Sequence, residues 1–125
     1  SPIVGIMCWK AGLPMVSPRS AKTHGTGATV EGVFRPGQRA VIVDDLLTKA
    51  DSKLEAAATL RAAGLTVTTC VVLVDRLQGG REKLAEVNVH LKSLFDVDGL
   101  LHSYLKSGHL SQAMYDEIRE YIANN

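Results

Sequence analysis

The sequence predicts an α/β domain with a mainly parallel central sheet flanked by helices. Two apolar, β-branched runs, residues 40–43 and 67–74, lack polar alternation, which is typical of strands buried on both faces. An alanine-rich segment, residues 53–63, lies between them, so that strand, helix and strand form a βαβ unit with parallel strands. The chain has 125 residues, the usual size of one domain, and we expect a single domain over residues 1–125.

The composition excludes several classes of function. The chain has fourteen Lys and Arg residues and thirteen Asp and Glu residues, so its net charge is close to zero. No overall electrostatic field would therefore attract nucleic acid or an anionic membrane. The apolar runs are far shorter than the roughly 20 residues that span a bilayer, and no basic-then-apolar leader opens the chain, so we expect a cytoplasmic protein. Cys8 and Cys70 lie in no paired motif and are predicted to be buried thiols. The four His residues lack the spacing of a zinc site.

The first third of the chain is the least regular. Residues 3–9 are apolar enough for either a short helix or a buried strand. Residues 17–27 are polar, basic and turn-rich and predict an exposed loop, and residues 29–34 predict a strand. The sequence starts at Ser1 without Met, inside an apolar run, and we therefore expect an amino-terminal portion to be missing.

The helix of the βαβ unit has recognisable ends. Ser52 and Glu55 form a capping box that predicts a helix beginning at Lys53, and Gly64 suits a left-handed carboxyl-terminal cap. The core face of this helix is predicted to consist of Leu54, Ala57, Ala58 and Leu60.

The last third of the chain predicts a helix over residues 82–87, a short strand over 89–91 and a helix over 97–105 that Gly108 ends. Ser111 then caps a final helix. Its apolar stripe is predicted to belong to the core and consists of Met114, Tyr115, Ile118, Tyr121 and Ile122.

Polar groups follow the strand predicted over residues 40–43. Asp44 and Asp45 follow its apolar run, and residues 48–52 form a short loop that leads into a helix. Paired carboxylates can accept the two hydroxyls of a ribose, directly or through Mg²⁺, and the helix amino terminus can hold a phosphate. This combination predicts a phosphorylated ribose ligand at the carboxyl edge of the sheet. The alternative is a solvated strand end followed by an ordinary helix cap.

Several motifs together resemble one enzyme family. The apolar run, the Asp pair, Thr48 and the short loop to Ser52 resemble the diphosphoribosyl-binding motif of type I phosphoribosyltransferases. The orotate branch is indicated by the segment around Lys22-x-His24-Gly25-Thr26 and by residues 73–80, and the similarity covers essentially the whole chain. The resemblance implies a Rossmann-like phosphoribosyltransferase fold and transfer of phosphoribosyl from phosphoribosyl diphosphate to orotate, giving orotidine 5'-monophosphate and pyrophosphate in UMP biosynthesis.

The resemblance also implies roles for individual residues. Lys22 and His24 would contact the leaving pyrophosphate from a neighbouring subunit, which implies a homodimer, and Asp45 would join them as a catalytic residue. Arg76 would hold the carboxylate of orotate. Mg²⁺ would arrive with the substrate, with Asp44 as the candidate direct ligand. The implied substrate-binding residues are Arg19, Asp44, Asp45, Thr48, Lys49, Ala50, Asp51, Ser52 and Arg76.

The sequence departs from the family pattern in three places. Lys49, Ala50 and Asp51 stand where the family has small residues and glycines, and we expect Asp51 to lie against the anion site, paired with Lys49. The basic loop from Arg19 to Lys22 has one cation fewer than is usual, and the amino-terminal hood of the family is absent. A non-catalytic phosphoribosyl-binding or dimerisation module is therefore the alternative, and a purine-type phosphoribosyltransferase is a weaker one.

Overall fold

The computed structural model describes residues 1–20 and 27–125. Three parallel strands form a central sheet in the order β3-β4-β5, and two further strands, β1 and β2, form a separate antiparallel pair. Helices pack against the central sheet, so the predicted α/β class with a mainly parallel sheet is confirmed. Among the described residues, every helix is too short or too polar to cross a membrane.

The chain begins with helix α1 (Pro2–Ala11), which Gly12 ends in a left-handed conformation with φ 65°. Of the two alternatives that the sequence left open for this segment, the helix is correct. No residue of α1 is buried, although the helix is largely apolar. Cys8 is only partly buried, so the prediction of a buried thiol is wrong at this position.

Strands β1 (Ser17–Arg19) and β2 (Thr29–Glu31) pair antiparallel, with Ser17 opposite Glu31. The loop predicted over residues 17–27 therefore starts with a strand. The strand predicted over residues 29–34 ends three residues early, at Glu31. Strand β2 ends because Gly32 leaves the extended conformation. Its φ of 122° is one that L side chains rarely adopt. A Cβ at this position would lie 2.9 Å from the Met15 carbonyl oxygen, so the chain turns here against the segment before β1.

The βαβ unit continues into a second crossover. Strand β3 (Arg39–Leu47), helix α2 (Asp51–Ala62) and strand β4 (Thr66–Asp75) are followed by helix α3 (Gly80–Glu86) and strand β5 (His90–Asp96). Both neighbouring strand pairs are parallel, as predicted for the first of them. The carboxyl ends of all three strands therefore meet at one edge of the sheet.

Strand β3 differs from its prediction in length and in burial. It runs through Asp44 and Asp45 to Leu47, and it pairs with β4 on one side only. Val41 is 54% exposed, so β3 is not covered on both faces. Strand β4 lies between two neighbours, and its Val67, Cys70 and Val72 are fully buried on one face. Leu73 on the other face is 36% exposed, so the prediction of burial on both faces is wrong for β4 as well.

Helix α2 begins earlier than the capping box predicts. Its N-cap is Ala50, which adopts a left-handed φ of 70°, and Ser52 lies inside the first turn. The Leu54 N–H donates to the Ala50 carbonyl at 2.8 Å, which starts the helix before the serine. The core face includes Thr59 in place of Ala58, and Gly64 has the predicted left-handed conformation with φ 95°.

Two helices complete the chain, α4 (Val97–Lys106) and α5 (Gln112–Asn124). The Ser111 hydroxyl accepts the Met114 N–H at 3.2 Å, which confirms the predicted cap. The prediction that the stripe of α5 belongs to the core is wrong, because no residue of α5 is buried and Tyr121 is 61% exposed. The helix packs mainly against α4, and much of its apolar face stays exposed.

The hydrophobic core lies between the sheet and helices α2 and α3. Its buried members come from β3 to β5 and the segments that join them. They are Leu47, Ala50, Ala57, Leu60, Leu65, Val67, Cys70, Val72, Leu84, Val89 and Leu91.

Candidate functional site

The polar residues predicted to bind a ligand lie around the carboxyl ends of β3 and β4. The turn from β3 into α2 is short, with three residues between Leu47 and Asp51. The Arg76 N–H donates to the Leu47 carbonyl at 3.0 Å and so ties the loop after β4 to the end of β3. Both strand ends therefore form one rim, as expected for parallel neighbours.

An open groove of about 380 Å³ runs beside β3 and the first turn of α2. Polar side chains from three elements line it, namely Arg19 from β1, Asp44 from β3, and Ser52 and Lys53 from α2. Arg19 is paired with Glu31 across the hairpin, with Nε 3.0 Å from Oε2, and both side chains are exposed. The structure thus brings three of the predicted residues to one groove, together with a lysine that was not predicted.

Asp44 is held by two partners within the chain. Its Oδ2 lies 2.5 Å from Lys53 Nζ, and its Oδ1 accepts the Asp45 N–H at 2.9 Å. Burial raises the pKa of the Asp44 carboxyl, but the hydrogen bonds from Lys53 and the Asp45 N–H, with the charge of Lys53, outweigh it and lower the pKa overall. Asp44 is therefore a carboxylate that an internal cation already neutralises.

Lys53 is the residue of the groove that the sequence analysis missed. Its side chain is only 11% exposed, which is unusual for a lysine. A cation in the first turn of a helix faces the positive end of the helix dipole, so its placement there is unfavourable without a nearby anion. That unfavourable position, just after Ser52 and nine residues after Asp44, was the available signal in the sequence.

Asp45 has a different environment from its neighbour. Successive side chains on a strand point to opposite faces, and Asp45 is exposed and does not line the groove. It forms no ion pair with any residue in the described ranges. The two adjacent carboxylates are therefore not equivalent acceptors.

The turn before α2 packs tightly against helix α3. Ala50 is buried at 3% exposure in its left-handed conformation. A Cβ at Gly80 would lie 2.5 Å from the Thr48 carbonyl oxygen and 2.9 Å from the Leu47 side chain, so only glycine allows this approach. The close approach of Gly80 to Thr48 and Leu47 thus constrains the shape of the turn.

The charged residues of the turn do not pair as expected. Asp51 is 81% exposed and lies 3.8 Å from Lys83 of α3, so the expected pairing with Lys49 is wrong. Lys49 is exposed and lines a separate cavity of about 350 Å³ with Gln78 and the end of α5. The distance to Lys83 is short because α3 begins beside this turn.

Asp75 anchors the loop that follows β4. It is 1% exposed, its Oδ1 accepts the Leu77 N–H at 2.9 Å, and its Oδ2 lies 3.5 Å from Arg81 Nε. Asp75 is thus paired with Arg81 and not with its chain neighbour Arg76. Arg76 itself is partly exposed at the rim.

The described residues do not form a site for a metal ion held by several side chains. The described part of the chain contains no group of three or more His, Cys, Asp or Glu side chains placed to share one ion. Asp44, the candidate direct ligand, already holds Lys53. These residues do not fit a Mg²⁺ ion held directly by the protein. The predicted Lys22 and His24 lie outside the described residues.

Comparison with known proteins supports the expected relationship. The chain is 41% identical over 101 residues to the orotate phosphoribosyltransferase of Methanocella arvoryzae, covering 80% of this chain and 58% of that protein. It is 31% identical over 125 residues to the uridine 5'-monophosphate synthase of Bos taurus, covering 99% of this chain and 26% of that protein. No protein-family model matches the chain.

Solved structures give the same relationship. The orotate phosphoribosyltransferase from Aeropyrum pernix superposes with a TM-score of 0.75 at 35% identity, over 82% of this chain and 58% of that one. The UMP synthase of Leishmania donovani superposes with a TM-score of 0.83 at 29% identity, over 99% of this chain and 27% of that one. The chain spans 58% of the length of the first curated relative it matches. By sequence and by structure, the chain is therefore a partial-length relative of the orotate phosphoribosyltransferases, with the type I phosphoribosyltransferase fold.

Proposed function

We propose that this chain is the phosphoribosyl-binding part of an orotate phosphoribosyltransferase, an enzyme that transfers phosphoribosyl from phosphoribosyl diphosphate to orotate in UMP biosynthesis. The observation that carries the proposal is the rim at the end of β3, where Asp44 and Asp45 lie in the turn-proximal part of the strand and Leu46 and Leu47 lead on into a tight turn before α2. Carboxylates beside a helix amino terminus suit a sugar diol joined to a phosphate.

Each group in the proposed site has a defined task. The 5'-phosphate lies at the turn of residues 48–52, where free N–H groups at the start of α2 and the Ser52 hydroxyl donate to it. Asp45 accepts from the ribose hydroxyls and stabilises the positive charge that develops on the sugar as pyrophosphate leaves. The guanidinium of Arg76 binds the orotate carboxylate as a two-pronged donor.

Three further parts of the proposal come from the relationship to the family. Lys22 and His24 bind the leaving pyrophosphate from the neighbouring subunit, in a homodimer, and Arg19 adds a third cation. Mg²⁺ accompanies the diphosphate of the substrate and is not assigned to a side chain of this chain. The protein acts in the cytoplasm.

The test is a spectrophotometric assay of orotate consumption by the 125-residue chain, with phosphoribosyl diphosphate and Mg²⁺. We expect turnover, and we expect Asp45→Asn to lower kcat/KM by about 100-fold to 1,000-fold, as for loss of one group that stabilises transition-state charge. Asp116→Asn, the same change on the outer helix α5, is the matched control and should leave the rate unchanged.

One observation favours a second candidate function, a phosphoribosyl-binding module without catalysis. Asp44 is committed to Lys53, so one of the two acids of the motif has lost its free charge. Titration calorimetry with phosphoribosyl diphosphate separates the two candidates. Binding without any loss of orotate absorbance at high protein concentration would support the module, and absence of both binding and turnover would reject both candidates.

A further inference from the structure

The environment of Lys53 is the observation that the proposed function leaves unexplained. The side chain starts in the first turn of α2, turns into the groove beside β3 and ends 2.5 Å from Asp44 Oδ2. Lys53 is 11% exposed and Asp44 is 31% exposed, so the ammonium group is largely withdrawn from water and the carboxylate partly so. An ion pair of this kind is harder to separate than an exposed one, because either charge left alone would be partly buried.

Both carboxylate oxygens of Asp44 already have a partner within the chain. One carboxylate oxygen faces the ammonium group and the other accepts the Asp45 N–H at 2.9 Å. A second cation placed on the same carboxylate would meet the charge of Lys53 at close range, and a ribose hydroxyl would have to share an oxygen with a donor already bound there. By contrast, Asp45 is exposed and forms no ion pair with any described residue.

We propose that Lys53 is a resident cation of this site: its ammonium group occupies Asp44 in place of a divalent ion and leaves Asp45 as the acid of the pair that has no ion-pair partner among the described residues. Lys53 is thus a positioning residue that acts through Asp44 and sets the low affinity of the rim for divalent ions. The inference rests on the proposed function only for the identity of the sugar ligand, since the metal competition follows from the ion pair itself.

The experiment measures binding of Mn²⁺ alone, by titration calorimetry, to the wild-type chain and to Lys53→Met. Methionine keeps the length and apolar stem of lysine but removes the charge, so we expect Mn²⁺ binding to tighten by about tenfold as Asp44 becomes available. Lys53→Arg keeps the positive charge and should bind Mn²⁺ as weakly as wild type. Lys106→Met removes the same charge at the exposed end of α4 and controls for net charge.

Two results would overturn the proposal. The first is equal Mn²⁺ affinity in wild type and a Lys53→Met variant that remains folded by circular dichroism. The second applies to the wild-type chain and decides the matter if the variant fails to fold. In a carboxyl ¹³C NMR titration with Mg²⁺ we expect the Asp45 signal to shift while the Asp44 signal stays in place, and parallel shifts of both signals would contradict the proposal.

These measurements are independent of turnover. A chain that consumes no orotate but shows tighter Mn²⁺ binding in Lys53→Met fails the proposed enzymatic function and supports the role of Lys53. A chain that consumes orotate and binds Mn²⁺ equally in both forms supports the function and rejects the role of Lys53.

Discussion

The sheet with helices α2 and α3 contains buried residues, whereas the outer helices α1 and α5 contain none, although both regions are rich in apolar residues. The buried cluster of the protein belongs almost entirely to the former region. Helices α1 and α5 contain no buried residue, and Trp9 of α1 is 82% exposed. Apolar composition therefore predicts where burial is possible, while a facing layer of structure decides whether burial occurs.

The largest expected difference between these regions is in the reactivity of the two thiols. Cys70 is fully buried in β4, and burial raises its pKa to about 11, whereas Cys8 lies partly buried on α1. We expect Cys70 to react with a disulfide reagent at least about 100-fold more slowly than Cys8, because its reaction requires opening of the sheet. Absorbance traces of the Cys8→Ser and Cys70→Ser variants measure the two rates separately, and equal rates would mean that the sheet opens as readily as α1.

Truncation of one side chain in each region gives the next largest difference. Leu84 of α3 is 0% exposed, and Leu84→Ala should lower the free energy of unfolding by about 2–5 kcal/mol through lost burial and a cavity. Ile6 of α1 is 61% exposed, and Ile6→Ala should change it by less than about 0.5 kcal/mol. Urea unfolding curves measure both, and a comparable loss in the two variants would show that α1 is covered in solution.

Glycine substitutions test how closely each region is packed. In Gly80→Ala, the new Cβ meets the Thr48 carbonyl oxygen at 2.5 Å, and we expect a loss of roughly 1–3 kcal/mol with displacement of the turn before α2. In Gly5→Ala, the Cβ has no neighbour within 4 Å, and the better helix propensity should stabilise the chain by up to about 1 kcal/mol. A thermal melt of each variant shows the sign, and a stable Gly80→Ala variant would contradict the close contact.

The smallest expected effect concerns pH and the ion pair between Asp44 and Lys53. A carboxyl whose pKa is lowered on folding stabilises the protein above its unfolded pKa of about 3.8, and this stabilisation is lost as the pH falls through the folded pKa. We expect Lys53→Met to be less stable than wild type by about 1 kcal/mol at neutral pH, with the gap closing in acid. Urea midpoints from neutral pH down to about pH 3 measure this gap, and a constant gap would argue against the pair.

The sequence predictions were correct for the βαβ unit and less so for the extent of β3 and the environment of α5. The βαβ unit was predictable because the run in β4 and the helix before it carry their signals locally, in β-branched and alanine-rich residues. The extent of β3 was not predictable, since Asp44 and Asp45 look like a strand end and their continued pairing with β4 depends on the neighbouring strand. The stripe of α5 defines a face of the helix, but nothing in its spacing specifies what that face meets.

The candidate site was predicted in outline but not in its internal contacts. The positions of the acids and the turn follow from chain order, because strand ends and helix starts converge at one edge of a parallel sheet. The pairing of Asp44 with Lys53 and of Asp51 with Lys83 depends on side-chain directions in the folded molecule. Chain order carries no information about those directions.

The left-handed backbone of Ala50 has a consequence for the side chains that the turn before α2 can carry. A conformation that glycine adopts freely is here adopted by alanine, at a cost of roughly 1–2 kcal/mol, in a residue that is 3% exposed within the core cluster. The surrounding scaffold thus specifies the path of the chain, so side chains on the turn can be exchanged while the main chain keeps its course.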